Sequence, residues 1–340
     1  EIASCLVGSE MCIRDRQRVI TLALEDFNLA GAQLLPEKRE ELATLSNELS
    51  ILESQFSQNV QDATDAFGLW FNEQQELAGV PADILASFEQ AAAVRNRSGY
   101  FVGLQTPFYL AIMRHARQRE LRKKMHYAYV TRASELGDQP QWDNTDLISA
   151  ILKKRQKEAN LLGYAHYTEL SLVKKMAKTP QQIMNLAQQL LVSAKKAAQQ
   201  EFAELTVFAK QQLGIEKLAP WDIAFASEQL RQQRYAFSEE ELASYFELSS
   251  VLYGLFQLIK QLYEVDFVEE VRPVWEQTVK YFHLLKDETV IGGLYLDLHA
   301  REGKRDGAWM NDYCNRWQKK DTLQLPIAYV AVSYTHLRAH

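Results

Sequence analysis

Apolar residues recur at three- and four-residue spacing over most of the first 265 residues, and this periodicity constrains the fold more than any other feature. The clearest stripe consists of Leu42, Leu45, Leu49, Leu52 and Phe56. Glu, Ser and Gln residues lie between these positions, so one face should pack against a neighbouring helix while the other faces water. The periodicity therefore predicts a mainly α, multi-helix array.

Glycine and proline residues mark where the predicted helices begin and end. Gly31, Gly163 and Gly214 each follow a periodic segment, as expected of helix C-terminal caps, whereas Pro36 and Pro180 each open one. Either Asp143 or Asn144 could cap the helix that follows them. The predicted helices cover approximately residues 16–29, a segment from 36, 81–95, 107–130, 144–162, 166–176, 180–213, 221–233, 239–246 and 251–263.

Small β-sheet elements are expected in two places. The aromatic runs FGLWF (67–71) and GYFVGL (99–104) should pair within the helical region. After Asp266 the composition becomes richer in β-branched and aromatic residues, which predicts a hairpin of 279–285 with 290–298 and a third strand at 326–332. The sequence thus predicts a helical domain over residues 17–265 and a second, sheet-containing region over 266–331.

The two ends of the chain differ from the rest. SCLVGSEMCIRDR near the start and VSYTHLRAH at the end resemble translated sequencing-adapter read-through. We therefore expect residues 1–16 and 332–340 to be non-native tails, and the native polypeptide to continue beyond both.

Charge and composition exclude several function classes. The net charge of −6 and the pI near 5.8 provide no basic field for a nucleic-acid backbone. No apolar stretch approaches the length that spans a bilayer, so the chain is expected to be cytoplasmic and to bind no membrane. Cys5, Cys12 and Cys314 form neither a ligand cluster nor a disulfide framework. One helix, 107–130, carries a dense set of basic residues expected to form a solvated face: Arg114, Arg117, Arg119, Arg122, Lys123 and Lys124.

Motifs that would carry catalysis are missing from the sequence. No H-E-x-x-H occurs, and although His336 and His340 have its spacing, Leu337 stands where the glutamate would be. The other histidines are scattered, and no phosphate-binding glycine loop or G-x-S-x-G elbow is present. We therefore predict no catalytic residues and no metal ligands in this chain.

One segment remains as a candidate binding site, namely YLDLHAREGKRDGAWM over residues 295–310. A predicted strand is followed by a basic turn and then by Gly307, Ala308 and Trp309. Two small residues beside a large aromatic side chain let another backbone approach closely, as when a peptide adds to a sheet edge. Packing offers an alternative, because a tight turn with Trp309 in the core would explain the same residues.

Besides the segment 295–310, eight motifs follow one another along the chain: LPEKREELATLSNELS from Leu35, YAYVTRASE from Tyr127, QWDN from Gln141, LLGY from Leu161, SLVKKMAKTPQQ from Ser171, LAPWDIAFASEQLRQQRYAFSEEEL from Leu218, VWEQTVKYFHL from Val274 and LPIAYV from Leu325. Together, and in this order, they resemble the thimet-oligopeptidase-like zinc metallopeptidases over about residues 17–331.

The resemblance implies a largely helical, prolate fold in which two lobes flank a channel that admits only short, unfolded peptides. In this family the zinc ligands and catalytic groups lie downstream of the segment that matches Ala328. The complete enzyme would therefore be a cytoplasmic, monomeric zinc endopeptidase. This chain would be an inactive fragment without zinc, in which residues 266–331 begin the catalytic lobe and Gly307, Ala308 and Trp309 border the cleft. The alternative is a non-catalytic helical scaffold or peptide-binding module.

Overall fold

The computed structural model describes residues 2–235, 245–301, 303–305 and 307–332, with side chains from residue 16 onward. Over these ranges the fold is mainly α with small sheets, as predicted. The α-helices are α1 (Ile2–Leu29), α2 (Pro36–Ala66), α3 (Ala82–Val94), α4 (Thr106–His115), α5 (Arg119–Thr131), α6 (Thr145–Leu161), α7 (Tyr167–Leu172), α8 (Pro180–Leu213), α9 (Pro220–Tyr235) and α10 (Leu248–Tyr263). Short 3-10 helices cover Gln74–Leu77 and Pro140–Trp142. The strands are β1 (Gly68–Phe71), β2 (Tyr100–Gly103), β3 (Asp266–Glu270), β4 (Lys280–Lys286), β5 (Thr289–Asp297), β6 (Ala308–Cys314), β7 (Trp317–Lys319), β8 (Thr322–Gln324) and β9 (Ile327–Val332).

The chain forms two compact units. The first unit comprises Glu1–Val60 and Ala133–Glu204, and the second comprises Gln61–Arg132 and Leu205–His340. The division into domains at residue 265 stays a prediction.

The core of the first unit contains the predicted leucine stripe. Leu45 and Leu49 of α2 are buried and pack with Ile151 of α6, and Leu52 and Phe56 are partly buried against the same cluster. The neighbouring helix that the stripe required is therefore α6.

The start of α6 uses both of the predicted capping residues, each for a different contact. The carboxylate of Asp143 accepts a hydrogen bond from the backbone N–H of Thr145 at 2.9 Å. The side chain of Asn144, buried, instead accepts one from Asn59 at 2.9 Å and donates one to the carbonyl oxygen of Phe56 at 3.1 Å. Asp143 thus pairs with the first backbone N–H of the helix, while Asn144, at the N-cap position but without a side-chain capping bond, joins α6 to α2.

A helical core and a two-stranded sheet form one part of the second unit. Phe88 of α3, Val102 of β2, Ile112 of α4 and Met125 of α5 are fully buried in one cluster. Strands β1 and β2 pair antiparallel with Leu69 opposite Val102, which confirms the predicted pairing of the two aromatic runs.

The prediction of a single helix over 107–130 is wrong, because the helical conformation is interrupted between α4 and α5. Ala116 has an extended backbone, and the N–H of Arg117 donates to the carbonyl oxygen of Ala78 at 2.8 Å. Arg122 donates from Nη1 to the carbonyl oxygens of Ala116 and Arg117 at 2.7 and 3.1 Å. The backbone groups released by the break are therefore hydrogen-bonded, which makes a buried break tolerable.

The basic residues of this segment also do not form one solvated face. The side chain of Arg122 is 1% exposed and lies 2.9 Å from the carboxylate of Asp222, which is fully buried in α9. Arg119, half exposed, donates to the same carboxylate at 2.7 Å. Buried arginine needs a counter-ion, and the sequence could not show that one is supplied about 100 residues later.

A five-stranded sheet with the order β3-β4-β5-β9-β6 occupies the rest of the second unit. β4 and β5 form the predicted hairpin, and its turn residues Asp287 and Glu288 have φ of 48° and 61°. Positive φ at both positions matches the right-handed twist of the strands. β9 confirms the third predicted strand and pairs parallel with β5, while β6 pairs antiparallel with β9. β3 was not predicted.

Some predictions fall on residues that the structure does not describe. They are most of the predicted helix 239–246 and, apart from Val332, the whole C-terminal tail 332–340, including His336 and His340. α1 includes residues of the predicted N-terminal tail, whose non-native origin stays a prediction. Among the described helices, none combines the length and apolar content needed to cross a bilayer.

Candidate functional site

Three strand ends meet around the connection from β5 to β6. β5 ends at Asp297, which pairs with Ala331 of β9, and β6 begins at Ala308, which pairs with Val332. Because β9 lies between β5 and β6, the connection must pass the carboxyl end of β9 and span two interstrand gaps, about 10 Å. The candidate residues Gly307, Ala308 and Trp309 therefore lie where this connection enters β6.

Asp297, itself buried, is the centre of a polar cluster at this end of the sheet. Arg301 donates two hydrogen bonds to its carboxylate, Nη1 at 2.8 Å and Nη2 at 3.0 Å. The indole Nε1 of Trp275 donates at 3.0 Å and Nζ of Lys304 at 2.9 Å. Both carboxylate oxygens thus accept charge-assisted or neutral hydrogen bonds, which fixes the side chain in one orientation.

The ionisation of the cluster follows from these contacts. Burial alone would raise the pKa of Asp297, but hydrogen bonds from Arg301, Lys304 and Trp275 outweigh it and lower that pKa to about 2. Burial lowers the pKa of Lys304, and the nearby Asp297 only partly offsets this. The pKa of His299 is lowered by burial and then by the charge of Lys304.

Lys304 connects the cluster to the backbone. Besides the Asp297 carboxylate, Nζ lies 2.9 Å from the carbonyl oxygen of Asp297, 2.8 Å from that of His299 and 2.8 Å from that of Val332. These oxygens belong to the end of β5, the connection itself and the end of β9. One ammonium group therefore holds together two parallel strand ends and the chain that leads to β6.

A second contact reaches the connection from the helical side of the same unit. The backbone N–H of Gly303 donates to Asp65, at the end of α2, at 3.3 Å. Asp65 also accepts hydrogen bonds from Gln61 at 2.8 Å and from Gln105 at 3.1 Å. The connection is thus anchored at Lys304 and again at the residue before it.

The structure brings the three candidate residues together at the start of β6. Gly307 has a φ of 110°, and a Cβ added there would meet no atom of the described residues within 4 Å. Ala308 is exposed and Trp309 is half-buried, with the guanidinium of Arg305 6.0 Å from its ring centroid. Both small residues therefore leave open space beside a partly accessible indole.

The two edges of the sheet differ in chemistry. β3, at one edge, carries Asp266, Glu269 and Glu270, two of them paired with lysine side chains. β6, at the other edge, has the sequence AWMNDYC, without lysine or proline, and its Met310 and Tyr313 are 68% and 72% exposed. Charge and proline normally protect sheet edges from further pairing, so β6 is the less protected edge.

The described residues do not fit a metal site. No group of three or more His, Cys, Asp or Glu side chains among them is arranged to hold a metal ion. His283 lies between Glu270 at 2.9 Å and Arg272 at 3.0 Å, and His299 lies beside a buried lysine. A cation next to an imidazole opposes metal binding, so we derive no step through zinc.

Comparison with known proteins supplies the class of protein. A peptidase family profile, described as Peptidase family M3, matches residues 112–339. Oligopeptidase A of Haemophilus influenzae is 40% identical over 323 residues, which cover 94% of this chain and 47% of the relative. Probable cytosolic oligopeptidase A of Arabidopsis thaliana is 38% identical over 338 residues, covering 94% of this chain and 47% of the relative. Dipeptidyl carboxypeptidase of Escherichia coli is 30% identical over 321 residues, covering 93% and 46%.

The mainly α fold and these matches define a peptidase by family. The chain belongs to peptidase family M3, of which it is an oligopeptidase A-like member. This confirms the resemblance that the ordered motifs indicated. The chain spans about half the length of the curated relatives it matches.

Two residues that organise the candidate site were missed by sequence reasoning. Asp297 ends a strand of alternating apolar residues and was interpreted only as part of that strand, while Lys304 was interpreted as one of several basic turn residues. A possible signal for Asp297 was an acidic residue that ends an otherwise apolar strand next to three basic residues. No local signal distinguished Lys304 from Arg305, because Val332, whose carbonyl oxygen accepts from Lys304, lies 28 residues further along the chain.

Proposed function

We propose that this chain is part of a zinc-dependent oligopeptidase of family M3, and that it binds short, extended peptides along strand β6. In this proposal Gly307, Ala308 and Trp309 border the substrate cleft. Membership of a peptidase family supports a peptide ligand. The observation that carries the assignment to β6 is its place at the less protected edge of the five-stranded sheet.

An edge strand can bind an extended peptide through its backbone. Along its outer side, alternate residues direct N–H and C=O groups away from the neighbouring strand. A peptide in extended conformation can pair with these groups whatever its side chains are, which suits an enzyme that accepts many short sequences. Open space at Gly307 would allow the peptide backbone to come close, and the Trp309 indole would contact one of its side chains.

The reaction of the complete enzyme is proposed from the family. In the complete enzyme, zinc would supply Lewis-acid activation of the attacking water. The printed sequence has no H-E-x-x-H, and the relatives are about twice as long, so we propose that the metal ligands lie in sequence outside these 340 residues. Residues 266–331 would then begin the catalytic lobe, and the isolated chain would be inactive. A cytoplasmic enzyme fits the relative that is named as cytosolic, and we further propose that the complete enzyme is monomeric.

Peptide binding by the 340-residue chain tests the proposal. An unstructured octapeptide of Ala, Ser and Gly would be titrated against chain labelled with 5-fluorotryptophan, with the Trp309 signal assigned by its loss in Trp309→Phe. We expect the ¹⁹F signal of Trp309 to shift on binding, while that of Trp317, exposed on β7, stays in place. Two peptides N-methylated at alternate residues, in opposite phases, should differ, because only one phase blocks pairing.

Several outcomes would contradict the proposal. Binding that is unaffected by either N-methylation phase would exclude strand addition. Equal loss of affinity in Trp309→Ala and in the matched control Trp317→Ala would exclude β6 as the site. Cleavage of a quenched fluorescent peptide by the isolated chain, together with stoichiometric zinc in metal analysis, would exclude the proposal that the metal ligands lie outside these 340 residues.

A further inference from the structure

Lys304 is buried and fully hydrogen-bonded, whereas lysine side chains in loops are usually exposed to solvent. Its side chain is 5% exposed, and Nζ has four oxygen atoms within 2.9 Å. An ammonium group has three protons, so its hydrogen-bonding capacity is fully used. Burying this charge is unfavourable unless it is paired, and the Asp297 carboxylate at 2.9 Å provides the pairing.

The acceptors of this ammonium group define the path of the connection. The carbonyl oxygens of Asp297 and Val332 belong to the ends of two parallel strands, and those ends are where the chain turns toward β6. Lys304 is four positions before Ala308, so its place restricts where β6 can begin. Because a shift of one residue exchanges the two faces of a strand, the start of β6 decides which groups point outward.

The opposite side of the connection is restrained as well. Gly303 donates its N–H to Asp65, and Gln61 and Gln105 hold that carboxylate in place. Trp309 pairs with Ala331, and Ala331 pairs with Asp297, so all three lie in one row across the sheet. The cluster therefore lies two strands away from the indole proposed to contact the peptide.

We propose that Lys304 is a positioning residue for the peptide-binding edge, holding β6 in the register that presents Gly307, Ala308 and Trp309 to an extended peptide. This inference rests on the proposed function of β6. It assigns no contact between Lys304 and the substrate. Lys304 acts through the carbonyl oxygens of Asp297 and Val332, and Asp297 in turn is oriented by Arg301 and Trp275.

Three variants of the 340-residue chain test the proposal. Lys304→Met keeps the length of the side chain and removes the charge, whereas Lys304→Arg keeps a cation with several donors. Lys280→Met is the matched control, because Lys280 lies in the same sheet and pairs with Glu269 at 3.2 Å with both side chains about half exposed. Each would be compared by ¹⁹F NMR of Trp309, by amide hydrogen exchange of β6 and by affinity for the octapeptide.

In Lys304→Met we expect the single Trp309 signal of the peptide-free chain to split or broaden, and the β6 amides to exchange at least tenfold faster. Affinity for the octapeptide should fall at least tenfold. Lys304→Arg should restore one Trp309 signal and most of the affinity, and Lys280→Met should match the parent chain. Loss of stability alone would not split the Trp309 signal of the folded protein, so this signature separates positioning from a general structural role.

The results that overturn this inference differ from those that overturn the proposed function. An unchanged Trp309 signal and unchanged β6 exchange in folded Lys304→Met would refute the positioning role, even if peptide still binds. No peptide binding by the parent chain would refute the proposed function, while the peptide-free measurements would still decide whether Lys304 sets the strand. If Lys304→Met does not fold, Lys304→Gln, which retains two donor protons, takes its place with the same readouts.

Discussion

The buried ion cluster around Asp222 gives the sharpest test of the energetics of the second unit. Replacing Asp222 with Ala removes the carboxylate that pairs with Arg122 at 2.9 Å and Arg119 at 2.7 Å. Arg122 is 1% exposed and cannot lose its proton at ordinary pH, so its charge would remain buried without a counter-ion. The carboxylate also accepts a hydrogen bond from the N–H of Ala219 at 3.0 Å, just before α9.

The size of this effect follows from the burial. Removing one partner of a buried pair costs about 3–5 kcal/mol, and losing a helix-capping acceptor adds about 1 kcal/mol. Breaking the exposed pair of Lys210 and Glu216, in the same unit, should cost only about 0–1 kcal/mol. For a unit of this size each kcal/mol shifts the unfolding midpoint by about 2–4 °C. The total of about 4–6 kcal/mol should lower the midpoint by roughly 8–24 °C in Asp222→Ala, whereas Glu216→Ala should lower it by a few degrees at most.

The assay must report on the second unit alone, because unfolding of a two-unit chain need not be one transition. Hydrogen exchange followed by mass spectrometry would be read separately for peptides from α4, α5 and α9, with Glu216→Ala, an exposed site in the same unit, as the control. The double replacement of Arg122 by Met and Asp222 by Leu should recover most of the lost stability, since it leaves no unpaired charge. An Asp222→Ala chain within about 1 kcal/mol of the control would refute the reasoning.

Three further predictions concern the sheet and the first unit. Because the pKa of Asp297 is lowered to about 2, its ion pairs should contribute stability above about pH 4 that is lost as pH falls toward 2. Urea unfolding should therefore show Asp297→Asn less stable than the parent at neutral pH, with a difference that shrinks below pH 4; a pH-independent difference would contradict this. Leu45→Ala should destabilise the first unit by about 2–5 kcal/mol, whereas Ile51→Ala, at an exposed site, should destabilise it by less than about 1 kcal/mol. Amide hydrogen exchange in α2 and α6 measures both effects, and equal effects would contradict the assigned core. Replacing Asp287 and Glu288 with Asn and Gly should raise the free energy of unfolding, measured in urea, by roughly 0.5–1 kcal/mol, because both residues have positive φ. A loss of stability would argue against that turn.

Helices and hairpins could be predicted from the sequence because their determinants are close together along the chain. The stripe from Leu42 to Phe56 repeats within one segment, and Gly31 and Gly163 follow helices with φ of 81° and 86°. The β4–β5 hairpin combines two β-rich runs with a short turn, which is again a local pattern. Such patterns determine an element almost independently of the rest of the fold.

Charged residues show where local patterns fail. Arg122 stands among five other basic residues, and nothing near it in the sequence distinguishes it from Lys123, which is exposed. Its burial depends on Asp222, which is acidic like many surface residues and which follows α8. The free-energy cost of burying the Arg122 charge is offset by a carboxylate about 100 residues away in the sequence. The composition around Arg122 therefore predicted a solvent-exposed side chain, whereas the side chain is buried.

The candidate site is non-local for the same reason, although its residues form one contiguous motif. Segment 295–310 contains the end of β5, the lysine and the start of β6, yet the strand that separates β5 from β6 ends at Val332, 28 residues after Lys304. β3, β4 and β5 can pair through short connections, whereas β6 has a place in the sheet only after β9 has paired parallel with β5. A strand positioned in this way has few local determinants of its register, and AWMNDYC shows no strict alternation of polar and apolar residues. The buried ammonium group of Lys304 binds the ends of both β5 and β9, and it therefore restrains the register of β6 where the sequence of the strand itself does not. This accounts for a lysine and an edge strand lying within one short motif.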